Sequence, residues 1–279
     1  MMSRIDDALE NAARIRRTSA AAGPLTPERT QTAAVELNYT SPYIIRFTTE
    51  HAPLTEEYRK LKSLIIKLMK KDGSNANTIM VTSSESGEGK SLTAINLALV
   101  MAQEYNHTVL LIDADLRRPV LHTYLGLTPA LGLTDCIIDG VDPGRAIMRT
   151  SMPQLSVLAA GKRIDKPAEM ISSNRMKALI HEVKHRYHDR FIILDTPPAL
   201  LFSETHVLSS YVDGVLFVVK EGVSDSSVRA SLDILKEAPF LGIVFNNAHP
   251  DQLNGRSERY YHYYHRKKTA GKQPDGSST

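Results

Sequence analysis

One cysteine, Cys136, is all the thiol that this 279-residue chain holds. A lone thiol excludes an internal disulfide framework and fits a reducing compartment. Long apolar runs are missing as well: "VLLI" and "GVLFVV" are strand-sized, far below the roughly 18 residues that a membrane-spanning helix needs. The first residues carry no apolar core of a secretory signal, so a cytoplasmic location is expected. Charge of one sign is also scarce. A net charge of +3 does not make the molecule a polyanion binder by charge alone, and no nucleic-acid partner is expected. What remains is an apolar content of 42%, enough for a sizeable core.

The chain divides by composition. "SRIDDALENAARIRR" reads as an amphipathic helix within residues 1–17, with Ile5, Leu9, Ala12 and Ile15 at helical spacing. It is either a surface helix or a handle for a partner. Residues 18–52, rich in Ala, Thr, Ser and Pro, read as a flexible linker in which "YIIRF" adds one strand or contact. Over 53–249 the pattern becomes that of a folded domain, and 250–279 reads as a flexible, disordered tail. The domain opens with a helix carrying Tyr58, Leu61, Ile65 and Leu68 on one face. Apolar, β-rich runs at 78–83, 108–113, 155–160, 191–195, 214–220 and 241–246 then alternate with helical segments. Strands too apolar to have a wet face predict an α/β fold: a doubly wound, mostly parallel sheet with helices on both faces.

The strongest chemical signal is "MVTSSESGEGKSLTAINLALVMA". An apolar strand runs into Ser86-Gly87-Glu88-Gly89-Lys90-Ser91-Leu92 and a helix follows at once, as a phosphate-binding P-loop requires. Backbone N–H groups and the helix N-terminus would face phosphate oxygens. Lys90 would reach the β- and γ-phosphates of ATP, with the Ser91 hydroxyl on Mg²⁺. The first glycine of the usual pattern is Ser84 here. Asp113 and Asp115 end the next apolar run, where ligands of open α/β sheets bind; alone, such a pair also serves to cap the following helix. "RFIILDTPP" delivers Asp195 in the manner of a Walker B carboxylate. Asn246 ends the last run, placed either to meet a base edge or to cap a turn.

"SSESGEGKS", "LLIDADLRRP" and "FIILDTPP" resemble the motifs of bacterial tyrosine kinases of capsule and exopolysaccharide systems, and the likeness runs over about residues 53–265. The resemblance implies a P-loop NTPase fold akin to the ParA/MinD ATPases. It also implies ATP and Mg²⁺ as cofactors, with Asp115, Asp195 and Ser91 on the metal. Asp113 would be the base that takes the phenol proton. ParA/MinD proteins carry a lysine five residues before the P-loop lysine; here that position is Glu85. Ser86 stands where the family often has proline. "EEYRKLK" resembles the family's oligomerisation motif through Glu56, Arg59 and Lys62, with lysine replacing the bidentate fork of arginine at the last place.

The tail gains meaning from this resemblance. Tyr260, Tyr261, Tyr263 and Tyr264 lie in "ERYYHYYHRKK" and match the family's phosphoacceptor cluster. Aromatics among cations also suit single-stranded nucleic acid, and His262 with His265 suits a metal. From residue 251 onward six cations oppose three acids, a balance of +3. Four phosphates would turn it to about −3 to −5, which predicts release of the tail from its site. The resemblance further implies self-association with transfer in trans, a membrane-anchored co-polymerase as activator, a cognate tyrosine phosphatase, and peripheral recruitment to the inner face of the membrane. A ParA/MinD-like ATPase switch and a non-catalytic nucleotide-binding scaffold are the alternatives.

Overall fold

A computed structural model describes residues 34–70, 76–104, 107–186 and 190–247. The proposed N-terminal helix and the four tail tyrosines lie outside the described residues. Seven strands form one sheet: β1 Thr78–Ser83, β2 Thr108–Asp113, β3 Met148–Arg149, β4 Leu155–Leu158, β5 Arg190–Asp195, β6 Gly214–Lys220 and β7 Phe240–Asn246. Their order across the sheet is β3-β4-β2-β5-β1-β6-β7. All pairings are parallel except that of β3 with β4. β3 was not anticipated: two residues are too few to show an alternation.

The helices are α1 Ala52–Met69, α2 Lys90–Met101, α3 Leu121–Leu125, α4 Leu133–Ile138, α5 Pro143–Ala146, α6 Pro167–Ile171, α7 Asn174–Arg186, α8 Ser203–Ser209 and α9 Asp225–Ile234. Strand side chains alternate between two cores. Val109, Leu111, Phe191 and Ile193 pack with α1, α2 and α3. Leu110, Ile112, Ile192 and Leu194 pack with α4 to α9 on the other face. Burying each such side chain contributes roughly 1.5–3 kcal/mol, and two-sided burial explains why β2, β5 and β6 have no polar face.

Two expectations need correction. From Ala34 on, the stretch read as linker is fastened to the body. Val35 bridges to Thr150, Ile44 and Ile45 are fully buried, and Asn96 of α2 holds the strap from both sides. Its Oδ1 accepts from the Ile45 N–H at 2.9 Å, and its Nδ2 donates to the Tyr43 carbonyl at 3.0 Å. "YIIRF" is therefore a contact and not a strand. On α1 the buried stripe is Thr55, Tyr58, Lys62, Ile65 and Met69; Leu68, expected on it, is exposed. Met69, not Leu68, continues the i, i+4 step from Ile65.

Candidate active site

The site assembles at the carboxyl ends of β1, β2 and β5. β1 stops at Ser83, the loop turns over, and Gly89 precedes α2 with φ 93°. That left-handed conformation strains any residue with a Cβ, and it points Lys90 inward. Parallel pairing sets Asp113 beside Asp195 in register, so two carboxylates meet at adjacent strand tips. The Lys90 Nζ lies 2.8 Å from Asp115 Oδ2, 3.9 Å from Asp195 Oδ1 and 3.4 Å from the Ser91 hydroxyl. The four predicted charged residues are thus brought together within the protein, all nearly inaccessible to solvent.

Their surroundings differ. Asp113 Oδ2 accepts from the backbone N–H of Val120 at 3.1 Å and of Leu121 at 3.0 Å, so this residue caps α3. Its Oδ1 is buried and without a hydrogen-bond partner among the described residues. Asp115 Oδ1 accepts from Arg118 N–H at 3.1 Å. Both carboxylate oxygens of Asp195 are buried and accept no hydrogen bond among the described residues, with the Lys90 ammonium as the nearby charge.

Proton affinities follow from this packing. Burial, then the charge of Asp195, pushes the Asp113 carboxyl well above its ordinary range, against the pull of the Leu121 N–H and Lys90. Burial pushes Asp195 up to about 6, opposed by Lys90 and Ser91. Burial alone would lower Lys90, but Asp195, Asp115 and Asp113 outweigh it and hold the ammonium above its ordinary value.

The loop residues divide in two. Ser86 and Gly87 are exposed at the crest, and Leu92 is half-buried in the first turn of α2. The side chain of Glu88, a residue expected among the nucleotide contacts, braces the loop from behind. It is buried and accepts from the N–H groups of Glu85 and, at 3.2 Å, Lys220. Asn246, read as meeting a base edge or capping a turn, stands against the loop. Its side-chain amide donates to the Glu88 carbonyl at 2.8 Å. Glu85 accepts from the Ser227 hydroxyl at 2.8 Å, a contact that reaches the start of α9. Lys220 and Asn246, which meet Glu88, and Ser227, which meets Glu85, lie more than 130 residues away, so local spacing gave no signal for these braces.

Arg117 was also missed. Its Nε donates to Glu204 Oε1 at 2.7 Å, and its guanidinium lies 4.3 Å from the centre of the Phe202 ring. Of the three oligomerisation candidates, Glu56 and Arg59 pair with each other at 3.5 Å on the surface of α1. Lys62 turns the other way. It is buried and pairs with Glu104, which removes it from any surface motif.

A donor set of one hydroxyl and two carboxylates is hard and all-oxygen, as Mg²⁺ prefers. The two Asp195 oxygens that accept no hydrogen bond would suit such a cation.

The comparisons agree with this geometry. The family model described as the CobQ/CobB/MinD/ParA nucleotide binding domain matches residues 79–261. Tyrosine-protein kinase YwqD of Bacillus subtilis (strain 168) is 34% identical over 227 residues, spanning 79% of this chain and 90% of the relative. Tyrosine-protein kinase CpsD of Streptococcus agalactiae is 31% identical over 207 residues, spanning 73% and 88%. The kinase domain of Escherichia coli tyrosine kinase ETK superposes with TM-score 0.64 at 26% identity, over 72% of this chain and 78% of that one. MinD from Pyrococcus horikoshii OT3, complexed with Mg-ADP, shares the fold at TM-score 0.54 and 22% identity, over 66% of this chain and 73% of its own. The chain therefore belongs to the tyrosine-protein kinases built on the MinD/ParA type of nucleotide-binding domain.

Proposed function

We propose that this kinase transfers the γ-phosphoryl of ATP to Tyr260, Tyr261, Tyr263 and Tyr264 of its own tail, each chain serving the tail of a neighbour. The observation that carries this reading is Lys90 held between Asp115 and Asp195, beside an Asp113 with one oxygen committed and one free. Backbone N–H groups of the loop and Lys90 bind and orient the phosphates. Ser91, Asp115 and Asp195 would hold Mg²⁺, which would supply charge neutralisation on the transferring group. A phenol of pKa about 10 is rarely ionised at neutral pH, so it needs a base as its oxygen bonds to phosphorus. Asp113 suits that role. Val120 and Leu121 lock its Oδ2, Oδ1 is left to accept the proton, and burial raises its proton affinity. Glu85 at the position of the ParA/MinD lysine, tied to Ser227, favours the kinase over a ParA-like switch.

The same reading places the chain in exopolysaccharide production, peripherally at the cytoplasmic face of the membrane. Among the described residues no helix is long and apolar enough to cross a membrane. The chain spans only 29% of the longer relative EpsB from Ralstonia nicotianae (strain ATCC BAA-1114 / GMI1000). A separate membrane-anchored co-polymerase as activator and a tyrosine phosphatase as its opponent complete the proposal. The test of transfer in trans mixes a Lys90→Ala chain with an active chain whose four tail tyrosines are Phe. Phosphate on the Lys90→Ala tail supports the reading; none on that tail overturns it.

A further inference from the structure

Beside the site, between the chain leaving β2 and the chain leaving β4, opens a cavity of about 220 Å³. It lies below the ~300–1,000 Å³ of a pocket for a whole small-molecule ligand, so its occupant is no larger than one ring bearing one anionic group. Leu116, Pro119 and Ala160 make its apolar wall, and Arg117, Lys162 and Arg163 supply cations.

The cations are differently held. Arg117 is fixed by the buried Glu204 and by Phe202, which leaves it little freedom to swing away. Lys162 pairs with Asp139 and lies 3.8 Å from Asp135. Arg163 is exposed and has no ion pair among the described residues. An apolar wall with a fixed guanidinium and an uncommitted one matches an aromatic ring that carries a phosphate.

We infer that this cavity is a phosphotyrosine subsite. It holds a tail tyrosine that is already phosphorylated while the next tyrosine is presented to Asp113. The inference rests on the kinase reading and adds an order to it. Chain geometry permits the arrangement: Arg117 is two residues from Asp115, and the four steps from Tyr260 to Tyr264 span at most about 14 Å of extended chain. Charge makes it selective. The unmodified tail, at +3, is repelled by Arg117 and Arg163. One phosphate leaves it near +1 overall but gives it a dianion at one point, where the guanidinium groups can grip. No new chemistry is required, since the phosphate arrives from ATP by the ordinary transfer.

The test uses the full-length chain with its four tail tyrosines replaced by Phe. A synthetic peptide of residues 258–268 is offered with phosphate on Tyr260, without phosphate, or replaced by inorganic phosphate. The phosphopeptide should bind about ten-fold or more tightly than the other two, and Arg163→Glu should abolish the difference. Equal binding of the two peptides, an unchanged phosphopeptide affinity in Arg163→Glu, or inorganic phosphate binding as tightly as the phosphopeptide overturns the subsite. In a time course with Mg-ATP on the chain with its natural tail, Arg163→Glu should accumulate singly phosphorylated chain with the first transfer unslowed. An unchanged pattern of intermediates also overturns the inference. Phosphopeptide binding without any transfer from ATP would sink the kinase reading and leave the subsite standing; transfer without selective binding would do the reverse.

Discussion

The side-chain nitrogen of Asn246 lies 2.1 Å from where a Cβ on Gly89 would stand, so the last strand closes directly on the phosphate loop. Gly89→Ala therefore carries two penalties. A left-handed φ costs a non-glycine residue about 1–2 kcal/mol, and the new methyl displaces Asn246 from the Glu88 carbonyl. The expected result is a lowered melting temperature and weak binding of a fluorescent ATP analogue. Adding Asn246→Ala relieves the clash but not the backbone strain, so the double variant recovers only in part.

Glu88 offers a second check on that loop. Glu88→Ala leaves the part-buried N–H groups of Glu85 and Lys220 without their acceptor, at no more than about 1–3 kcal/mol for each one left unsatisfied. Hydrogen exchange at both amides should accelerate together. Glu88→Gln, which keeps one acceptor oxygen, should show a smaller effect.

Asp195 gives a pH signature. Its proton affinity is raised by burial to about 6 from an ordinary 3.8, so the folded state binds the proton more tightly than the unfolded chain does. Ionised Asp195 thus costs stability fully above about 6, and the cost fades as pH falls toward 3.8. Asp195→Asn should raise the melting temperature at pH 8, with the gain shrinking at pH 5, while Mg-dependent nucleotide binding is lost. A gain that grows on acidification would contradict the assignment.

The strap predicts where the folded unit begins. Removing residues 1–47 takes away Ile44, Ile45 and the partners of Asn96, and should lower the melting temperature far more than removing residues 1–33. Asn96→Ala in the intact chain should cost about 1–3 kcal/mol in urea unfolding.

Much of the fold was legible because its signals are local. Val109 to Ile112 and Phe191 to Leu194 are apolar at consecutive positions, and only a sheet covered on both faces accepts that. Lys90, Asp113, Asp115 and Asp195 were legible as a group because strand ends converge in a parallel sheet. Ile44 and Ile45 were not, since they stand in a Ser-, Thr- and Pro-rich stretch and find their core in α1 and α2. Lys62 was matched to an oligomerisation motif by local spacing; its partner Glu104 lies 42 residues on. Glu88 was read toward a nucleotide, and Asn246 toward a base edge or a turn, because motif logic works on local sequence. Only the fold shows that they hold the loop itself.

The central claim is that the chain phosphorylates its own tail through Lys90 and Asp113. Its most direct test is the intact mass of the full-length chain after incubation with Mg-ATP. Three variants run beside it: Lys90→Ala, Asp113→Asn, and the chain with Phe at positions 260, 261, 263 and 264. The account predicts mass gains of one or more phosphates in the unaltered chain and in none of the three. ADP release without any mass gain, or a tail variant that gains as much phosphate as the unaltered chain, would contradict it.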